Sequence, residues 1–193
     1  MKYFKLFLLL MLFSTAHKGM AQLSGAEKPW IVGLSYNVVD DSSLRFKEFF
    51  NISEHWNTIF LPTTLNVEYM FSEKFSAESA LSYNRFIPQY EKFYTPPSSK
   101  KSYIGFDLNA KFYFLKNDIL REKEFMPYVM SGFGYSTVDS LNWFHFNFGL
   151  GVSYWFNPLW GAKIQSTGKW TLDLSDSTNY KHHMIGIMYL FAE

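Results

Sequence analysis

Residues Phe144 to Phe156 read FHFNFGLGVSYWF: Phe, Phe, Phe, Leu, Val, Tyr and Phe fill the even positions, with His145, Asn147, Gly149, Gly151, Ser153 and Trp155 between them. A period of two is the signature of a pleated strand whose successive side chains point to opposite faces. The water-facing side of a half-buried strand on an aqueous core usually carries charge. Here neither face does, and the small, polar face is the one left for the interior.

The same alternation recurs eight times between Trp30 and Phe191. The outward sets are Trp30, Val32, Leu34, Tyr36 and Val38; Leu65, Val67, Tyr69 and Phe71; Phe75, Ala77, Leu81 and Tyr83; and Ile104, Phe106, Leu108, Ala110, Phe112 and Phe114. A weaker fifth contains Val129, Phe133 and Tyr135, and the opening stretch is the sixth. Trp160, Ala162 and Ile164 form the seventh, and Ile185, Ile187, Tyr189 and Phe191 the eighth. Aromatic residues make up 21% of the chain, yet mean hydropathy is slightly negative. The apolar content therefore alternates with polar residues instead of running in blocks, and no stretch after residue 21 reaches the ~18 apolar residues of a membrane-crossing helix.

Connection lengths alternate too. Ser72-Glu73-Lys74 and Asn157-Pro158 read as tight turns and Leu115 to Phe125 as a longer, charged one, while Val39 to Leu61, Ile87 to Lys101, Thr137 to Asn142 and Lys169 to Asn179 read as long polar loops. Short turns at one end and long loops at the other suit an antiparallel up-and-down barrel in an outer membrane. All seven prolines fall at strand ends, turns or loops, where no ladder donor is lost. Gly33, Gly105, Gly132, Gly134, Gly149, Gly151, Gly161 and Gly186 share the inward parity, and an eight-stranded barrel is just wide enough inside for side chains.

That parity also turns Glu68, Glu78, Asp107, Lys111 and Lys163 inward as a mixed charged network, since unpaired buried charge is strongly unfavourable. A soluble lipocalin-type barrel would show the reverse arrangement, with an apolar ligand chamber and charges facing water. The sequence thus predicts an all-β, eight-stranded antiparallel transmembrane barrel with its apolar face in lipid, because only helices and closed barrels satisfy every backbone group in hydrocarbon.

Met1-Lys2-Tyr3-Phe4-Lys5, the apolar Leu6 to Phe13 and Gly19-Met20-Ala21 read as a secretory signal peptide over residues 1–21, leaving a barrel domain over 22–193; Ser14-Thr15-Ala16 is a second cleavage candidate. Cleavage after residue 21 would remove Lys2, Lys5 and Lys18 and shift the formal charge from +1 to −2. No basic surface for nucleic acid is expected. With no cysteine there is neither a lipobox thiol nor a disulfide framework.

Ile185-x-Ile187-x-Tyr189-x-Phe191 ends in an aromatic two residues before the terminus, although Ala192 and Glu193 follow it. With the alternation, this resembles the small outer-membrane β-barrel family related to the transmembrane domain of outer membrane protein A. The resemblance spans Trp30 to Phe191. It implies an outer-membrane location in a diderm bacterium, contact with outer-membrane lipid and lipopolysaccharide, and Tyr189 and Phe191 as a C-terminal signal for the barrel assembly machinery. It names no extracellular partner.

Candidate chemistry is sparse, and no cofactor is called for. His145 and His182, both inward near the loop end, could face one another as metal ligands or an acid–base pair, or serve as hydrogen-bonded interior residues. Ser53-Glu54-His55, with Asp173, Ser175, Asp176 and Ser177, supplies a nucleophile and base by residue type, but the His and Ser spacing of the lipid A palmitoyltransferase and 3-O-deacylase barrels is absent. Phe46, Phe49, Phe50, Trp56 and Phe60, with Tyr90, Phe93 and Tyr94, make the first two loops apolar enough for a binding surface, or for packing on one another or on the lipopolysaccharide layer. The sequence reading is a non-enzymatic barrel with a structural or surface-interaction role, a filled interior and long extracellular loops. The alternatives are a lipid A-modifying enzyme or a narrow pore.

Overall fold

A computed structural model describes residues 30–40, 56–86, 101–115, 125–139, 141–172 and 179–191. The strands are β1 (Trp30–Asp40), β2 (Trp56–Thr58), β3 (Thr64–Met70), β4 (Phe75–Phe86), β5 (Lys101–Tyr113), β6 (Phe125–Val138), β7 (Leu141–Trp155), β8 (Trp160–Thr171) and β9 (Tyr180–Phe191). Each pairs antiparallel with its neighbour, and β1 also pairs with β9 from Trp30↔Phe191 to Asp40↔Lys181. That last ladder closes the sheet into an eight-stranded barrel.

The short β2 is not a ninth wall strand. It pairs with β1 through Val38↔Thr58, Val39↔Asn57 and Asp40↔Trp56, directly above the β3 pairing that ends at Ser35↔Thr64. From Ser35 to Val38, β1 advances three residues while the facing chain runs six, from Thr64 back to Thr58. Three residues are therefore extruded as a bulge around Phe60-Leu61-Pro62. Pro62 has no N–H for the ladder, which favours a break at this point. Side-chain amides repair the gap: Asn37 Nδ2 donates to Thr63 Oγ1 at 2.8 Å, Thr64 Oγ1 at 2.9 Å and the Tyr83 carbonyl at 3.0 Å, and Asn84 Nδ2 donates to the Asn57 carbonyl at 2.9 Å. The first loop, read from Val39 to Leu61, thus contains a piece of wall.

Two further loop assignments change. Thr137 to Asn142 is not a long connection: β6 and β7 pair up to Val138↔Leu141, and Asp139 takes a left-handed φ of 52° as a tight hairpin requires. Similarly, β8 continues through Lys169 to Thr171, so Lys169 belongs to the wall and not to the last loop. Of the outward residues, Val38 is covered. It sits beside His183 in register, and the Trp56 ring lies 5.5 Å from that histidine ring.

Elsewhere the outward parity is open, with Leu108, Phe133, Phe148, Leu150 and Ile164 all exposed. Cross-strand aromatic pairs band the chain-terminal end: Trp30 with Tyr69 at 4.7 Å, Phe75 with Phe112 at 5.0 Å, Phe125 with Tyr154 at 4.6 Å and Trp160 with Tyr189 at 4.9 Å. A second group, Tyr135 with Phe144 and Phe146 with Trp170, lies toward the loops. Two levels of paired aromatics flanking an apolar belt mark the two interfaces of a bilayer.

If this belt meets acyl chains, Phe148→Arg, at mid-belt on β7, lowers unfolding free energy in lipid vesicles by about 2–4 kcal/mol. Asn142→Arg, on the same face but beyond the loop-side aromatics, costs about 0–1 kcal/mol. Denaturant titration followed by tryptophan fluorescence measures both, and equal losses would rule out a lipid-depth effect.

Candidate functional site: the barrel interior

Inward side chains form layers along the barrel axis. At the chain-terminal end Ile31, Met70, Tyr113, Met126, Tyr128, Met130, Trp155, Met188 and Leu190 form a buried apolar cluster. Val39, Tyr103, Val138, Trp143 and Tyr180 form another at the loop end. The charges lie between these two plugs.

Lys111 Nζ contacts Glu68 Oε2 at 2.8 Å and Glu78 Oε2 at 2.7 Å, and Lys163 Nζ reaches the same Glu78 oxygen at 2.5 Å. The second Glu68 oxygen accepts from Ser76 Oγ at 2.5 Å and Tyr113 Oη at 2.6 Å. Glu68 and Glu78 are direct cross-strand partners, so their mutual repulsion would be severe without the two lysines. Nearer the loops, Lys169 Nζ grips both Asp107 oxygens at 2.6 and 2.7 Å. Asn147 Nδ2 donates to Asp107 Oδ1 at 2.9 Å and Asn109 Oδ1 at 3.1 Å. All six charged side chains are buried.

The structure therefore gathers Glu68, Glu78, Lys111 and Lys163 into one four-membered group and sets Asp107 apart with Lys169, a residue that the sequence pattern assigns to a loop. Two signals could have found it. Lys163, Gln165, Thr167 and Lys169 continue a single parity, and three inward acids against two lysines leave one negative charge without a cation. With Lys169 the six charges sum to zero.

Glycines make room for this packing. A Cβ at Gly151 would stand 2.5 Å from the Tyr128 ring and 2.7 Å from the Ile164 carbonyl oxygen, and the backbone oxygen cannot move aside. Tyr128 in turn donates to Gln165 Oε1 at 2.8 Å, and its ring lies 4.6 Å from Lys111 Nζ.

His145 and His182 are both buried but do not meet in a hydrogen bond or ring contact. His145 Nε2 lies 2.6 Å from Ser136 Oγ and its ring stands edge-on to Tyr180 at 5.2 Å. His182 stands against Tyr103, 6.2 Å between centroids, and neither of its ring nitrogens has a hydrogen-bond partner. Among the described residues no three His, Cys, Asp or Glu side chains converge as a metal site. Ser53, Glu54, His55, Asp173, Ser175, Asp176 and Ser177 lie outside the described residues, as do the loop aromatics apart from Trp56 and Phe60. Tyr189 and Phe191 lie on the outer face of β9, their rings 4.7 Å apart.

Lys111→Met removes the cation shared by two glutamates, and should lower stability in detergent or vesicles by about 3–5 kcal/mol. Adding Glu68→Gln should restore part of the loss. Gly151→Ala should destabilise through overpacking by about 1–3 kcal/mol. The heat-dependent gel shift of folded barrels, scored against temperature, reads all three; a silent Lys111→Met would mean a solvated interior.

The solved structures similar to this chain are barrels. The N-terminal β-barrel domain of Pseudomonas aeruginosa OprF matches with a TM-score of 0.54 at 15% identity, covering 86% of this chain and 100% of that one. Neisserial surface protein A matches at 0.52 and 13%, covering 87% and 100%. The outer membrane protein OprG from Pseudomonas aeruginosa matches at 0.51 and 16%, covering 87% and 97%. These likenesses establish the fold. No curated protein sequence matches the chain. The family model of the outer membrane protein beta-barrel domain matches residues 6–191, nearly the whole sequence and every strand of the closed wall, and the chain belongs to that outer-membrane family.

Proposed function

We propose that this protein is a non-enzymatic, integral outer-membrane barrel that acts through its surfaces and not through its lumen. The observation that carries this reading is the filling of the interior: a charge-neutral, hydrogen-bonded layer held between two apolar plugs. Such a layer offers a solute no continuous polar path. The catalytic alternative needs a nucleophile and base positioned together, and the buried histidine bonded to Ser136 sits behind Tyr180 and Trp143 in the loop-end plug. The partners are then outer-membrane lipid and lipopolysaccharide around the wall, and whatever meets the loop end outside. A cleaved leader over residues 1–21 delivers the chain to the periplasm, where both termini stay. Tyr189 and Phe191 on the closing strand present the C-terminal signal to the assembly machinery.

Planar-bilayer recording of the folded protein tests the sealed lumen. The expected result is no sustained conductance; steady single-channel steps would favour the pore. Lipid A mass spectra from cells with and without the gene should be the same. A missing or added acyl chain would favour the enzyme.

A further inference from the structure

Five methionines lie among the described residues, Met70, Met126, Met130, Met184 and Met188, and all five are inward and buried. The exposed aliphatic positions of the belt are filled instead by residues such as Leu108, Leu150, Ile164 and Ile187. Leucine and methionine differ little in volume, and lipid accepts a thioether as readily as a branched alkyl group. The partition therefore asks for a reason inside the lumen.

Three of these side chains stand at one level. Met70, Met126 and Met188 are the chain neighbours of Tyr69, Phe125 and Tyr189, which belong to the chain-terminal aromatic band, and the pleat turns each aromatic outward and its methionine inward. Around the wall, in the order β1, β3, β4, β5, β6, β7, β8, β9, the three are carried by β3, β6 and β9. They therefore enter from three sides a lumen only wide enough for side chains, and they share one buried cluster. Trp155, the neighbour of Tyr154 in the same band, joins that cluster from β7. A Cβ at Gly161 would stand 3.0 Å from Trp155 Cε3 and 3.1 Å from Met188 Cε, so the indole edge and the thioether methyl lie side by side over that glycine.

We propose that Met70, Met126 and Met188 form a thioether site for one soft monovalent cation, copper(I) or silver(I), with Trp155 beside it. Thioether sulfur is a neutral, polarizable donor that selects such ions, and an indole ring adds attraction for a cation. No imidazole or carboxylate belongs to the cluster, so zinc and calcium find none of their usual ligands in it. The Glu68, Glu78, Lys111 and Lys163 group next to it is neutral as a whole. Methionine also fills irregular gaps in cores; that role accounts for burial, but asks for neither a common level nor approach from three sides. The site goes beyond the surface-acting role above and leaves the lumen closed. Conductance tests that reading and metal binding tests this one.

The chain has no cysteine to compete for a soft ion. Protein refolded in detergent with silver(I) and then desalted should retain one silver ion per chain, and copper(I) kept reduced with ascorbate should be held against a chromophoric copper(I) chelator. Met70→Leu, Met126→Leu and Met188→Leu keep the volume and should each weaken binding by at least about tenfold, the loss expected even for a supporting residue of a metal site. Met130→Leu and Met184→Leu should leave it unchanged, and the heat-dependent gel shift checks that every variant is folded. Selenomethionine-labelled wild type needs no substitution: X-ray absorption at the copper edge should show selenium neighbours and no nitrogen. Silver retention no greater than that of the triple leucine variant, equal losses at all five methionines, or a copper site with nitrogen and without selenium would each overturn the proposal.

Discussion

The β1–β9 ladder is the constraint from which the rest follows. In hydrocarbon an open sheet edge would leave a row of N–H and C=O groups without partners, each costing several kcal/mol. Eleven register pairs from Trp30↔Phe191 to Asp40↔Lys181 remove that edge. Closure with eight strands then fixes a lumen too narrow to stay empty and too wide for backbone alone. Side chains must fill it, and those on the inward parity are the polar ones because the outward parity has been given to lipid.

Filling a lumen with charge is costly unless each ion is matched. Removing carboxylates and ammoniums from water costs several kcal/mol per ion, recovered only with close geometry and further hydrogen bonds on the remaining lone pairs. Lys111 bridging Glu68 and Glu78, Lys163 on Glu78 and the bidentate Asp107–Lys169 pair meet the first condition. Ser76 and Tyr113 supply the second for Glu68 and Asn147 for Asp107, whereas Glu78 is held by its two lysines alone, its other oxygen having no hydrogen-bond partner. Paired charges that tie β3, β4, β5 and β8 together across the lumen resist shear of one strand past the next, since a slip of one residue would turn every inward charge to lipid. The interior is thus a register lock as well as a filling.

The barrel was legible from period two alone because lipid on one side and a narrow lumen on the other leave few ways to place a residue. Phe144 to Phe156 carries that pattern without a fault, and Glu68, Glu78, Asp107, Lys111 and Lys163 could be set inward by parity. Strand ends were less legible. Polar residues above the membrane satisfy a ladder as well as a loop, so Thr137, Asn142 and Lys169 read as connections although the hydrogen-bonded pairs run through them. The bulge at Phe60 was not legible, because it depends on the offset between two pairings, Ser35↔Thr64 and Val38↔Thr58, that no local pattern records. The approach of His145 and His182 failed for a related reason: common parity sets a common interior, but the large rings of Tyr103 and Tyr180 give each histidine its own neighbour.

The central claim is that the interior charges are paired and dry instead of individually solvated, and a double-mutant cycle on Asp107 and Lys169 tests it most directly. Unfolding of wild type, Asp107→Asn, Lys169→Met and the double variant would be followed in the same lipid vesicles. A paired interior predicts that each single change is strongly destabilising and that the double variant is more stable than the sum of the singles implies, with a coupling of about 1–3 kcal/mol. Near-zero coupling with mild single effects would mean that water solvates each charge, and the sealed barrel would be contradicted.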